Sequence, residues 1–218
     1  MKRRLSARIL TAVRREAQKF FRGARGSHGW DHTERVYRLC LRIGLKEGAN
    51  LDILKLAALL HDIGREEEDR TNGRVCHAEK GASLAFKILE KKGLDKALAG
   101  RVVRCIETHR YRSGLRPDSL EAKVLFDADK LDSIGAVGIG RAFLFAGEVG
   151  ARFHDPKIRV RKTKPYTKED TAYREFLVKL SRVKDRMYTV EGKRIAGERH
   201  KFMTDFFKRL NRETAGIL

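Results

Sequence analysis

Residues 56–65 read Leu-Ala-Ala-Leu-Leu-His-Asp-Ile-Gly-Arg, "LAALLHDIGR". An apolar run leads without a break into His61 and Asp62. Burying a carboxylate with no partner costs on the order of several kcal/mol, and an unsatisfied imidazole beside it adds to that. The stretch therefore demands a compensating group. His61 lies three, four and seven residues after Ala58, Ala57 and Leu54, which puts it on the buried face of the helix this run predicts.

The same test applied outward finds more polar side chains on apolar stripes. His32 precedes Val36 by four and Leu39 by seven, and Asp127 stands three after Val124, four before Leu131 and seven before Ile134. His109 continues the stripe of Val102 and Ile106, and His77 opens a helix carrying Gly81 and Leu84. A single inward histidine is ordinarily a core residue bonded to a carbonyl. Imidazoles and carboxylates converging inside a bundle are instead what a divalent metal satisfies. Asp132, about 140° around its helix from Asp127, reads as a hydrogen-bonding group between helices.

Helical spacing dominates the chain and no run alternates like a strand, so the expected fold class is an all-α bundle with a metal site in its interior. The spacing predicts helices over Val36–Ile43, from about Asp52 to Gly64, from His77 to before Gly93, around Val102–Ile106, and over Leu120–Leu131. Two amphipathic helices are expected at the end, one through Tyr173, Phe176, Leu180, Val183 and Met187, the other with Ile195, Phe202, Phe206 and Leu210 on its apolar face. Gly135, Gly138 and Gly140 are expected to allow close backbone approach, and 151–170 reads as a long basic loop. The calcium-like word FDADKLD at 126–132 lacks the glycine and glutamate of an EF-hand loop, and no H-E-x-x-H, G-x-S-x-G or phosphate-loop motif occurs.

At 218 residues the chain suits one domain, divided into a basic N-terminal helix (1–25), a motif-bearing core (26–150), the basic loop (151–170) and C-terminal helices (171–218). Cys40, Cys76 and Cys105 are odd in number and unpaired in spacing, which argues for a reducing cytoplasm and against a cysteine zinc site. No apolar run approaches the roughly 18 residues of a membrane span. The first helix, with Leu5, Ile9, Val13 and Ala17 in register, packs on the domain, lies on a membrane surface or serves as a transit peptide. The formal charge of +20 lies at the ends: nine Lys/Arg against one Glu in 1–25, and nineteen against nine acidic residues in 151–218. An anionic partner follows.

The set His32, His61-Asp62 and Asp127 matches an H…HD…D signature. With the words GWDHTERV, AALLHDIGR, CHAEKGA, IETHRYR and EAKVLFDADKLDSIGAVGIGRAF, the chain resembles the HD-domain superfamily of metal-dependent phosphohydrolases, nearest its small nucleotide-hydrolysing branch. Over roughly 20–215 the resemblance implies an all-helical HD fold and one divalent metal (Mn, Mg, Co, Ni or Fe) held by His32, His61, Asp62 and Asp127. Members of that branch commonly read His-Asp where this chain has His28-Gly29. His77 and His109 are the candidates to contact phosphate or protonate the leaving oxygen, or else to support the ligands from behind. Arg35 and Lys130 follow proposed ligands by three positions and either reach a bound phosphate or form surface ion pairs. Lys179 and Arg199 read as solvated cations.

The expected substrate is a nucleotide, converted by pyrophosphate release from a triphosphate or by dephosphorylation of a monophosphate. A phosphodiesterase of cyclic or signalling nucleotides is a second reading, although the GYP word of cyclic-dinucleotide hydrolases is absent. A basic nucleic-acid-binding protein with a structural HD site is a third, but no stacking platform of aromatic and basic residues is evident in the sequence. The basic ends, particularly Lys157, Arg159, Arg161, Lys162 and Lys164, are therefore assigned to steering and holding phosphate.

Overall fold

The structure is a computed structural model that describes residues 5–23, 29–71, 73–110 and 114–218. His28 lies outside the described residues. Among these there are ten α-helices, short 3-10 turns and no strands. No described helix is long and apolar enough to cross a membrane. The chain divides into two compact units, 1–129 and 130–218, with the boundary inside one helix.

The first unit holds α1 (Ala7–Gln18), α2 (Trp30–Glu47), α3 (Leu51–Leu60), α4 (Arg65–Arg70), α5 (His77–Lys91), α6 (Lys96–Thr108) and most of α7 (Leu120–Leu131). Its centre is α3, where Ile53, Leu54 and the whole run Leu56–Leu60 are buried against α1, α2, α5 and α6. Each such Leu or Ile contributes about 1.5–3 kcal/mol by leaving water. Asn50 caps α3 by accepting from the Asp52 and Ile53 amides, while its own N–H donates to Glu121 on α7 at 3.0 Å. α2 ends where Gly48 turns left-handed, φ 73°, and returns its N–H to Gly44.

The sequence expectation ran α3 on to Gly64, but the helix stops at Leu60 and His61 is its cap. The reason is steric. A Cβ on Gly64 would lie 2.3 Å from the His77 carbonyl oxygen and 2.7 Å from the Gly81 amide nitrogen, so the turn after Asp62 presses backbone against backbone on the first turns of α5. Only glycine fits that approach.

The second unit contains α8 (Gly135–Glu148), the 151–170 loop with one 3-10 turn (Val160–Lys162), α9 (Ala172–Val178), a 3-10 segment (Leu180–Arg186) and α10 (Val190–Thr214). The helix expected through 173–187 is thus broken at Lys179. At Gly138 a Cβ would meet the Ser133 carbonyl at 2.2 Å and the Met203 Cε at 3.1 Å, so α8 and α10 cross closely. The apolar face of α10 differs from the expected one: Ile195, Ala196, Met203 and Phe207 are buried, whereas Phe202 is 54% exposed. Phe207 packs against Tyr173, Phe176 and Phe206, with ring centroids 4.8–5.4 Å apart. Asp132 takes the inter-helix role expected of it, accepting from Arg141 Nη1 at 2.8 Å.

Candidate metal centre

Four imidazoles meet inside the first unit. His32 comes from the first turn of α2, His61 from the cap of α3, His77 from the start of α5 and His109 from the cap of α6. Their rings follow one another with centroids 5.3 Å (His32–His61), 5.4 Å (His61–His109) and 5.2 Å (His109–His77) apart. All four are buried.

Three of them are oriented by bonds at Nδ1. His61 donates to the Ala58 carbonyl at 2.8 Å, His109 to the Ile106 carbonyl, and His77 to the Glu68 carboxylate. A carbonyl only accepts, so the proton sits on Nδ1 and the neutral ring turns a lone pair at Nε2 to the interior. Nε2 of His77 lies 3.3 Å from Nε2 of His109, and the same distance separates His61 from His32. Lone pairs held that close need a cation or a proton between them. Burial pushes the His61 imidazole down to about 4, against the pull of Asp62. Burial also takes His77 down to about 2, with the Arg65, His109 and Arg110 charges acting in the same direction. Both rings are therefore neutral near pH 7, the form that binds metal.

Asp62 lies between the two histidine pairs. Its Oδ2 is 3.6 Å from His32 Nε2 and 3.8 Å from His61 Nε2, while Oδ1 is 3.6 Å from His77 Nε2 and 3.8 Å from His109 Nε2. Two sets of ligand atoms result, each within 4.8 Å of one another: His32, His61 and Asp129, and Asp62, His77 and His109. Imidazole nitrogens with carboxylates suit a first-row divalent ion, so the residues present fit a metal.

Asp129 of α7 reaches this cluster, with Oδ1 3.4 Å from His32 Nε2. Asp127, expected there, is fully buried but stands in neither set. Two residues along a helix are about 200° apart, so the two carboxylates leave α7 on nearly opposite sides. The stripe of Val124 and Leu131 identified a buried face correctly, but Ala122, Leu125, Phe126 and Ala128 are buried as well. A helix enclosed on most sides does not reveal by periodicity which face meets the histidines.

Spacing also missed a charged frame behind the histidines. Arg65 donates through Nη2 to Asp62 at 3.1 Å and to His77 Nε2 at 3.2 Å, and through Nη1 to Glu68 at 3.2 Å. Glu68, buried, also accepts from Arg110 at 2.6 Å. The only signal for Glu68 was a carboxylate seven residues past His61, hidden in the run Glu66-Glu67-Glu68. Arg35 pairs with Asp31 one helical turn before it. Lys130 is half-buried in the last turn of α7, in the second unit. Lys179 pairs with Glu175, and Arg199 donates to the Leu131 carbonyl and packs on Gly135.

A helical unit built around buried His and His-Asp side chains defines a class, and the sequence agrees: the HD domain matches residues 29–134. The chain is 36% identical over 209 residues to the uncharacterized protein YpgQ of Bacillus subtilis, covering 94% of this chain and 93% of that one. It belongs to the HD-domain family. The crystal structure of B. subtilis YpgQ in complex with ADP matches with a TM-score of 0.74 at 35% identity, over 96% of this chain and 97% of that one. An HD-superfamily hydrolase from Bacillus thuringiensis matches with a TM-score of 0.74 at 27% identity, over 94% and 96% of the two chains.

Proposed function

We propose that this chain is a metal-dependent phosphohydrolase of nucleotides that releases pyrophosphate from nucleoside triphosphates. The observation that carries the reading is Asp62, buried between two pairs of inward-facing imidazole nitrogens. The ADP complex of YpgQ supports a nucleotide ligand.

His32, His61, Asp62 and Asp129 would hold one divalent ion, which when bound polarises a phosphoryl oxygen and acidifies a water molecule. The remaining work belongs to the side chains. Glu68 and the Ala58 and Ile106 carbonyls fix the rings with Nε2 inward, so no reorganisation is needed when substrate arrives. Arg65 places a guanidinium beside His77 and Asp62, where it offsets phosphoryl charge. A neutral His77 whose Nδ1 proton is committed to Glu68 presents at Nε2 an acceptor, engaged by Arg65, that suits a metal and has no proton to donate to a phosphate oxygen. In the reaction a water oxygen bonds to the α-phosphorus, the bond to the bridging oxygen breaks, and monophosphate and pyrophosphate result.

Hydrolysis of a nucleotide panel in 18O-labelled water, with Mn, Mg, Co, Ni or Fe supplied separately, tests this. Label in the monophosphate supports it. Label in orthophosphate with no monophosphate formed identifies a stepwise phosphatase. One observation favours a second reading, a phosphodiesterase working with two ions: Asp62, His77 and His109 form a second group that could hold an ion.

A further inference from the structure

The 151–170 loop is ordered from beneath. Arg174, buried on α9, donates to Asp170 through Nη1 and to Thr163 Oγ1 through Nε, both at 2.7 Å. The other Asp170 oxygen accepts the Tyr166 amide at 2.8 Å, and the Arg152 amide closes the loop on the Lys168 carbonyl at 2.8 Å. Asp170 is thereby consumed internally. Lys157, Arg159, Arg161, Lys162, Lys164 and Lys168 are all exposed, and none is in an ion pair with a described residue. On α10, by contrast, Arg194, Lys201 and Arg209 are each paired with a carboxylate on the same helix, although Lys193, Lys208 and Arg212 are not.

Two aromatic pairs distant in sequence border this loop, one on each flank of α8, since Phe143 and Phe145 lie about 200° apart around it. Phe153 is 66% exposed and stacks on Phe143 of α8, centroids 5.6 Å apart and planes 28° from parallel, with the His154 ring tilted 6.4 Å away. Tyr166 is 74% exposed, rests edge-on against Phe145, and has φ 60°. A non-glycine residue at positive φ is uncommon, and such strain concentrates where a side chain is held for use. Leu144, between the two α8 phenylalanines, is exposed as well.

We propose that this loop and the adjoining face of α8 form a binding surface for single-stranded nucleic acid, with bases stacking on Phe153 and Tyr166 and the loop cations following the phosphates. A ring already stacked on one face extends the stack with a base on the other, and unpaired cations favour a polyanion. Duplexes hide their base faces and offer only phosphate. Lipid headgroups offer phosphate with nothing to stack.

The test is fluorescence anisotropy of the full chain with a labelled 12-nucleotide single strand, its duplex, and phosphatidylserine vesicles as competitor. Phe153→Ala/Tyr166→Ala is expected to weaken single-strand binding about tenfold or more and to leave duplex binding unchanged. Tyr166→Gly removes the ring while relieving the left-handed strain, so it should lose affinity with an equal or higher Tm. Single-strand affinity unchanged in both variants overturns the proposal. So does equal loss for strand and duplex, or displacement of the strand by vesicles that bind more tightly.

Discussion

In the first unit Asp62, Glu68 and four histidines are buried and bond chiefly to one another and to two arginines, whereas the cations of the 151–170 loop in the second unit face solvent without ion-pair partners. Enclosure makes each polar atom of the first group specific, because a buried lone pair or charge left uncompensated costs far more than the same group in water. Exposure makes the second group general, attracting anions through a field that salt screens within about 10 Å at 0.1 M. One region is built for chemistry at a point and the other for contact over a surface. Substitutions should therefore act sharply and singly in the first and gradually in the second.

The sharpest way to break the contrast is Asp62→Ala. Removing the carboxylate that lies between the two histidine pairs should lower kcat/KM by about 10⁴-fold, the scale of several kcal/mol of charge stabilisation. A loss under tenfold in steady-state assays would mean that the cluster is structural. Next, Phe207→Ala on the buried face of α10 should cost about 3–5 kcal/mol of stability in denaturant unfolding, while Phe202→Ala should fall within about 0.5 kcal/mol of the parent. Equal effects would reverse the assigned face. Glu68→Gln removes the anion that orients His77 and should lower activity or metal affinity by about 10- to 100-fold. Unchanged values would leave Glu68 with no part in positioning. The smallest single effects belong to the loop: neutralising any one of Lys157, Arg161 or Lys164 should change single-strand affinity by a few fold at most and reduce the salt slope by about one unit or less.

The converging histidines were legible because an imidazole on an apolar helical stripe is anomalous, and several such anomalies agreed. His32, His61, His77 and His109 do meet, and the enclosed α3 follows from its unbroken run of leucine and alanine. Asp129 was not legible in preference to Asp127, since α7 is buried on nearly all sides and hydrophobic period loses its direction there. Glu68 and Arg65 were hidden for another reason: they sit in a charged stretch whose ordinary meaning is a solvated helix, and only the turn at Gly64 brings them under His77. The aromatic pairs escaped because Phe143 with Phe153 and Phe145 with Tyr166 come together only through a loop closed by Arg174 and Asp170.

The central claim is that the buried cluster holds a divalent ion on which hydrolysis depends, with Asp129 as its ligand from α7. Its most direct test is metal content by plasma mass spectrometry, read beside nucleotide hydrolysis, for the parent, Asp129→Ala and Asp127→Ala proteins after chelation and reloading with manganese. The parent should lose activity on chelation, regain it on reloading and retain about one ion per chain. Asp129→Ala should neither retain metal nor hydrolyse, while Asp127→Ala should still bind the ion. Full activity in the stripped parent would contradict the metal mechanism, and metal retained by Asp129→Ala but lost by Asp127→Ala would contradict the ligand assignment.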